Sequence, residues 1–244
     1  MRTVILHYHL FKNAGTSLDA AFKENFSEEK GEWVTKEFPG HPAKNREEVK
    51  QWIIENPQAK CFSSHTAILP VPKIDGVKII PVIFMRHPID RIVSAYSFEK
   101  KQGGEGFGPV LARNTTLAGY VETRLSIAAD RQCRGFHAHR LATMFGEKQG
   151  DEATRAQMAV DKLPFVGLVE QYSESLSILE KSLAKVGFED IKLKPVEKNV
   201  SRSVKKSLDE KLTEIKEQLG EELFEKLVEA NEVDLGIWEE FQND

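Results

Sequence analysis

At 244 residues the chain is long enough to bury a full core as one large domain, 1–244, or as one with an inserted lobe. Hydrophobic residues at 40% and charged residues at 30% are ordinary for a globular protein, and a formal charge of −4 argues against general nucleic-acid binding. Two cysteines, Cys61 and Cys133, are too few for a disulfide framework, and no apolar stretch approaches a membrane span. The first β-branched run, residues 3–6, predicts a strand, and residues 18–26 predict the helix that follows it. No signal peptide is recognised ahead of that strand, so a cytoplasmic location is expected. Residues 27–60 read as polar and irregular, apart from a turn at 39–42 and a short helix at 46–55 around Val49, Trp52 and Ile53. Residues 60–64 predict a second strand, with Cys61 as a small core residue. Residues 78–85 predict a third, apolar nearly throughout as buried parallel strands are, although Pro81 removes one ladder donor. Pro88 and Asp90 mark a helix start, and Ile89, Val93 and Tyr96 give that helix an apolar stripe. Gly103, Gly104, Gly106, Gly108 and Pro109 predict a loop over 99–116, either a mobile lid or a plain connection. Further on, 117–145 reads as helical, 163–169 as a buried strand and 173–186 as an amphipathic helix. The charged segment 207–241 reads as helical and broken at Gly220. This alternation predicts an α/β fold with a mostly parallel central sheet and helices on both faces, its ligand crevice at the strand ends.

Residues 9–18, His-Leu-Phe-Lys-Asn-Ala-Gly-Thr-Ser-Leu, fill the first strand-to-helix turn. The first turn of a helix has N–H groups without intrahelical partners and the positive end of the dipole, which together favour an anion. Gly15 permits close backbone approach, Thr16 and Ser17 offer hydroxyls, and Lys12 offers a mobile charge. A capped helix with an exposed Lys fits the same residues. The nucleotide-triphosphatase P-loop does not, because here the Lys precedes the Gly. Arg86 ends the third predicted strand, and Ser94 follows eight residues later, about two turns into the next helix. Each of these has a bland alternative, a surface ion pair for Arg86 and a neutral helix residue for Ser94.

Taken together, these segments resemble the sulfotransferase superfamily. Its 5′-phosphosulfate loop has a Lys before a small-residue and Thr/Ser run, and its 3′-phosphate motif is an Arg followed by a Ser at this separation. The likeness is strongest to the carbohydrate branch, which includes the heparan sulfate 2-O-sulfotransferases, and it extends from His9 to about Phe241, weakest over 98–165. Phe11 stands where that branch usually has Pro, which removes loop rigidity but no ligand atom. His65, in Phe62-Ser63-Ser64-His65, sits where the branch carries a catalytic base. Gln132 and Arg134 match part of a family segment expected to contact acceptor or nucleotide, in a locally basic stretch that also fits a solvated helix face. Lys198-Asn199-Val200-Ser201-Arg202-Ser203 resembles the basic loop that closes over the nucleotide.

The resemblance implies a P-loop-like three-layer α/β/α fold. It also implies transfer of a sulfuryl group from 3′-phosphoadenosine-5′-phosphosulfate to an acceptor hydroxyl, expected on a carbohydrate. Lys12 would stabilise the leaving oxygen, with Asn13, Ala14, Gly15, Thr16 and Ser17 cradling the 5′-phosphate. Arg86 and Ser94 would hold the 3′-phosphate, Arg202 would close over the nucleotide, and His65 would take the acceptor proton. His9 is expected to buttress the loop, and His65 to end a strand beside that of Arg86; His7 and His9 are the alternative bases. No metal is expected, since the sequence offers no convincing His/Cys/Asp ligand cluster. Residues 99–145 are expected to form a variable acceptor side. The rivals are a small-molecule kinase, disfavoured without a Gly-Lys-Ser/Thr loop, and a non-catalytic nucleotide-binding protein.

Overall fold

The computed structural model describes residues 1–195 and 206–242. Five strands, β1 (Arg2–Tyr8), β2 (Trp33–Thr35), β3 (Cys61–Ser64), β4 (Val77–Met85) and β5 (Val166–Leu168), form one all-parallel sheet in the order β2-β3-β1-β4-β5. The helices in the first half of the chain are α1 (Gly15–Lys23), α2 (Pro42–Glu55), α3 (Pro88–Gln102), α4 (Phe107–Asn114), α5 (Leu117–Ser126) and α6 (Phe136–Ala142). The rest are α7 (Glu152–Val160), α8 (Tyr172–Ala184), α9 (Leu208–Leu219), α10 (Glu221–Glu229) and α11 (Glu232–Gln242). None of the described helices is long and apolar enough to cross a membrane.

The chain divides into two units. The first comprises Met1–Met85 and Arg140–Val200 and carries the whole sheet. Side chains alternate across a strand, so Ile5 and His7 of β1 share one face. On that face Ile5 joins Leu18, Ala21 and Phe22 of α1 and Leu176, Leu179 and Leu183 of α8 in one buried cluster. The opposite face is covered by α2, where Trp52 meets Phe62 of β3 edge-on at 4.8 Å. Helix, sheet and helix make the three layers.

Three expectations fail in this unit. The stretch 27–60 is not wholly irregular, because β2 adds a three-residue strand at the sheet edge. The strand that His65 follows does not neighbour the strand that Arg86 follows: β1 lies between β3 and β4. The helix expected from Leu18 instead begins at Gly15, which brings residues 15–17 into its first turn.

The second unit comprises Arg86–His139 and Ser201–Asp244. Ile89 and Ile92 of α3, Leu117, Tyr120 and Val121 of α5, Ile215 and Leu219 of α9 and Leu227 of α10 form its core. The loop expected over 99–116 is mostly helical. Gly103 and Gly104, at φ 76° and 90°, end α3, and after a short link α4 begins at Phe107. Gly108 is there for packing. A Cβ at Gly108 would fall 2.5 Å from Glu99 Oε1 and 2.6 Å from Arg124 Nη2, so its hydrogen lets α4 lie close on its neighbours. The expected 117–145 helix is broken between Ser126 and Phe136.

Candidate active site

Past the end of β1 the chain turns tightly: Leu10 N–H donates to Tyr8 O at 2.8 Å and Asn13 N–H to Leu10 O at 3.2 Å. Lys12 and Ala14 both adopt the left-handed region, at φ 64° and 59°. Non-glycine residues occupy it at a cost of roughly 1 kcal/mol or more each, which the surrounding structure must offset. Alternation of hand turns successive backbone N–H groups toward one side, the geometry of an anion-binding nest. Ala14 is the N-cap of α1, and no side chain caps that helix, so the alternative of a side-chain-capped helix is not what this segment forms. Thr16 is exposed and Lys12 and Ser17 are half-buried.

His9 supports this turn from beneath. An ideal Cβ on Gly15 would lie 2.0 Å from His9 Cδ2 and 2.3 Å from Nε2, so glycine is needed there because an imidazole fills the space. Gly15→Ala is expected to push His9 aside and destabilise the protein by about 1–3 kcal/mol, as overpacking does. Thermal denaturation checks it, and an unchanged Tm would show that the ring is not fixed.

The ring is held by a group that the sequence did not single out. Asp19, one turn into α1, accepts from His7 Nδ1 on Oδ1 at 2.7 Å and from His9 Nδ1 on Oδ2 at 2.9 Å. Ser63 Oγ donates to Asp19 Oδ1 at 2.7 Å, brought there by the β1–β3 register that sets His7 opposite Ser63. Burial pushes the Asp19 carboxyl up, but the charge of His7 and the hydrogen bonds from His7 and His9 outweigh it and hold the group well below its usual range. Little in the sequence signals this cluster, because His7 lies on β1, His9 lies past its end, and Asp19 reaches them from α1.

His65 follows β3 and is exposed, with its ring centroid 3.7 Å from that of His9. Its backbone N–H donates to Glu37 Oε1 at 3.2 Å. Partial burial and the neighbouring His9 lower its pKa below the ordinary imidazole value, with Glu37, Asp19 and the His9 backbone opposing. His9 is lowered too, by burial first and then by His7, against the pull of Asp19.

His7, His9 and Asp19 bring possible ligand atoms within 4.8 Å of one another, so a His/Asp cluster does exist where none was expected. Its Nδ1–carboxylate separations of 2.7 and 2.9 Å are hydrogen-bond lengths. Ligands of a tetrahedral zinc ion stand about 3.3 Å apart.

In the second unit, Arg86 directly follows β4 and is partly exposed. Its Nε donates to Asp90 Oδ2 at 2.7 Å and its Nη2 lies 2.6 Å from the same oxygen, with Lys211 Nζ at 3.5 Å. Both faces of the early expectation meet here: Arg86 is an ion-pair residue, yet its Nη1 edge is not used by that pair. Ser94 lies one turn beyond Asp90 on α3.

Residues 1–239 match the family described as the sulfotransferase family. The chain belongs to that family. An uncharacterized protein of Archaeoglobus fulgidus is 42% identical over 246 residues, covering 98% of this chain and 95% of that one. The sulfotransferase match therefore spans both units.

The sequence-predicted residues of this sulfotransferase-family chain divide between the two units. The loop 12–17, His9 and His65 come together in the first unit; Arg86 and Ser94 belong to the second; Arg202 lies outside the described residues. The segment around Gln132 and Arg134 turns inward. Arg91 Nη1 donates to Gln132 Oε1 at 3.1 Å and stacks over Phe136 at 4.0 Å, and Arg134 Nη2 donates to Leu125 O at 2.8 Å. His137 is fully buried beside Asp234, whose carboxylate accepts the His137 and Ala138 N–H groups at 2.8 Å each. These contacts help to hold the second unit together, while Gln132 and Arg134 stay partly exposed.

Proposed function

We propose that the protein transfers a sulfuryl group from 3′-phosphoadenosine-5′-phosphosulfate to an acceptor hydroxyl of a carbohydrate, as the 2-O-sulfotransferase-like branch does. The observation that carries this reading is the uncapped start of α1, preceded by left-handed Lys12 and Ala14 and underpinned by His9. That cradle suits the 5′-phosphate, and its Thr16 hydroxyl is exposed to meet it. The nucleotide supplies an activated sulfuryl group whose departure leaves negative charge on a phosphate oxygen. Lys12 places a positive charge where that charge develops, and the loop N–H groups of residues 13–17 fix the phosphate. Arg86 reads the 3′-phosphate with its Nη1 edge while Asp90 steadies the guanidinium, and Ser94 adds a hydroxyl. His65, held neutral near pH 7, takes the proton from the acceptor hydroxyl. The whole chain, 1–244, is read as one sulfotransferase domain, the family match running over residues 1–239, and residues 99–145 are assigned to its acceptor side.

A thermal-shift panel tests the donor. Stabilisation by adenosine 3′,5′-bisphosphate and not by Mg·ATP supports the reading, and the reverse favours a kinase. Transfer of ³⁵S from labelled donor to members of a panel of glycans and small alcohols excludes the non-catalytic alternative. Within that assay Arg86→Ala is expected to weaken the 3′-phosphorylated nucleotide by about 1.5–3 kcal/mol, one to two decades in Kd. Adenosine 5′-phosphosulfate, which lacks the 3′-phosphate, should be affected far less. Equal loss for both ligands would remove Arg86 from 3′-phosphate recognition.

A further inference from the structure

We infer that Asp19 is a positioning residue that fixes His7 and His9 as Nδ1–H tautomers, making His9 a rigid brace between the loop of residues 12–17 and His65. The inference rests on the reading of His65 as base and deepens it.

An ionised carboxylate only accepts hydrogen bonds, so each imidazole that meets Asp19 must donate. Two do, His7 to Oδ1 at 2.7 Å and His9 to Oδ2 at 2.9 Å, and the Ser63 hydroxyl completes Oδ1 at 2.7 Å. Both donating atoms are Nδ1. When the rings are neutral each is thereby left with Nε2 as its unprotonated nitrogen, and with its plane fixed, as second-partner hydrogen bonds commonly fix imidazoles. His7 stacks on His9 at 5.2 Å with planes 20° apart, so the two rings also hold each other. One edge of the His9 ring occupies the space where a Gly15 Cβ would be, and its centroid lies 3.7 Å from that of His65. A single ring therefore touches both the phosphate loop and the base. In-line transfer depends on that spacing, and a slip of about 1 Å between reacting groups is enough to cost on the order of 10²-fold in rate.

Asp19→Asn tests the inference with almost no change of volume. An amide can accept from one imidazole but presents NH₂ to the other, which must become the Nε2–H tautomer to accept it. Imidazole ¹⁵N spectra of the ¹⁵N-histidine-labelled full chain, without nucleotide and at a pH where the rings are neutral, read this directly among its seven histidines. The expected result is Nδ1–H at both His7 and His9 in the wild type, with one ring switched in Asp19→Asn. With ³⁵S-labelled donor and the best acceptor from the glycan panel, kcat should fall about 10²-fold while the KM for donor changes little. An Nε2–H tautomer at either ring in the wild type, or no switch in the variant, overturns the inference. So does a wild-type kcat in Asp19→Asn when His65→Ala is slow. A divalent ion bound one-to-one that abolishes both Nδ1–H signals would replace the triad with a metal site and also overturn it. If His65→Ala transfers at the wild-type rate, the base assignment is what fails, and the tautomer spectra still decide the role of Asp19.

Discussion

Replacing Lys12 by alanine is expected to lower the sulfuryl-transfer rate by ~10²–10³, the usual cost of losing one donor at the site of developing charge. Nucleotide affinity should fall much less, because the backbone N–H groups of residues 13–17 remain and the loop is held by contacts that do not involve the Lys side chain. Those contacts are the Asn13 N–H to Leu10 O bond, the Asn13 side-chain bond to Phe11 O at 2.9 Å, and the His9 ring under Gly15. Alanine already occupies the neighbouring left-handed position at residue 14, so the fold tolerates that side chain in such a conformation. Lys12→Arg should not restore full activity, since a planar fork cannot substitute for a compact ammonium at one oxygen. Single-turnover rates with labelled donor, set beside the Kd for adenosine 3′,5′-bisphosphate, separate the two effects. Near-normal turnover in Lys12→Ala would remove this residue from the chemistry.

What could be read from the sequence was whatever is local and strongly patterned. β1 and β4 are long apolar runs, and Pro88 announces α3 by itself. The loop of residues 12–17 is a contiguous string, so it could be singled out as a candidate anion site from the sequence alone. β2 was missed because it has three residues at a sheet edge and a single buried side chain, Trp33. α4 was missed because glycine has two uses: Gly103 and Gly104 break a helix, whereas Gly108 allows one to pack closely. The Asp19 cluster was hidden for another reason. It depends on the parallel register that sets His7 opposite Ser63, residues 56 apart in the chain, and on α1 starting three residues earlier than its apolar pattern suggested. Strand order is likewise a long-range property, which is why His65 was placed next to the wrong strand.

His65→Ala is expected to slow transfer by roughly 10²–10⁴, the range for removing a general base, while leaving nucleotide affinity nearly unchanged. The case is positional and electrostatic together. His65 follows β3, whose neighbour β1 leads into the phosphate loop, and its ring packs on His9 beside that loop. Partial burial and then His9 move its pKa below the ordinary imidazole range, so the neutral, proton-accepting form prevails at neutral pH. The sign follows directly. Protonation removes the base, so kcat/KM should rise as pH increases through the His65 pKa and reach its plateau at a lower pH than an ordinary imidazole would give. Glu37 and Asp19 oppose the downward shift, so Glu37→Gln should move the midpoint lower still. The ascending limb should vanish in His65→Ala, leaving a slow rate without that inflection. If the variant keeps both the rate and the limb, the proton is taken elsewhere, and His9, whose pKa is also lowered by burial, becomes the base to test next.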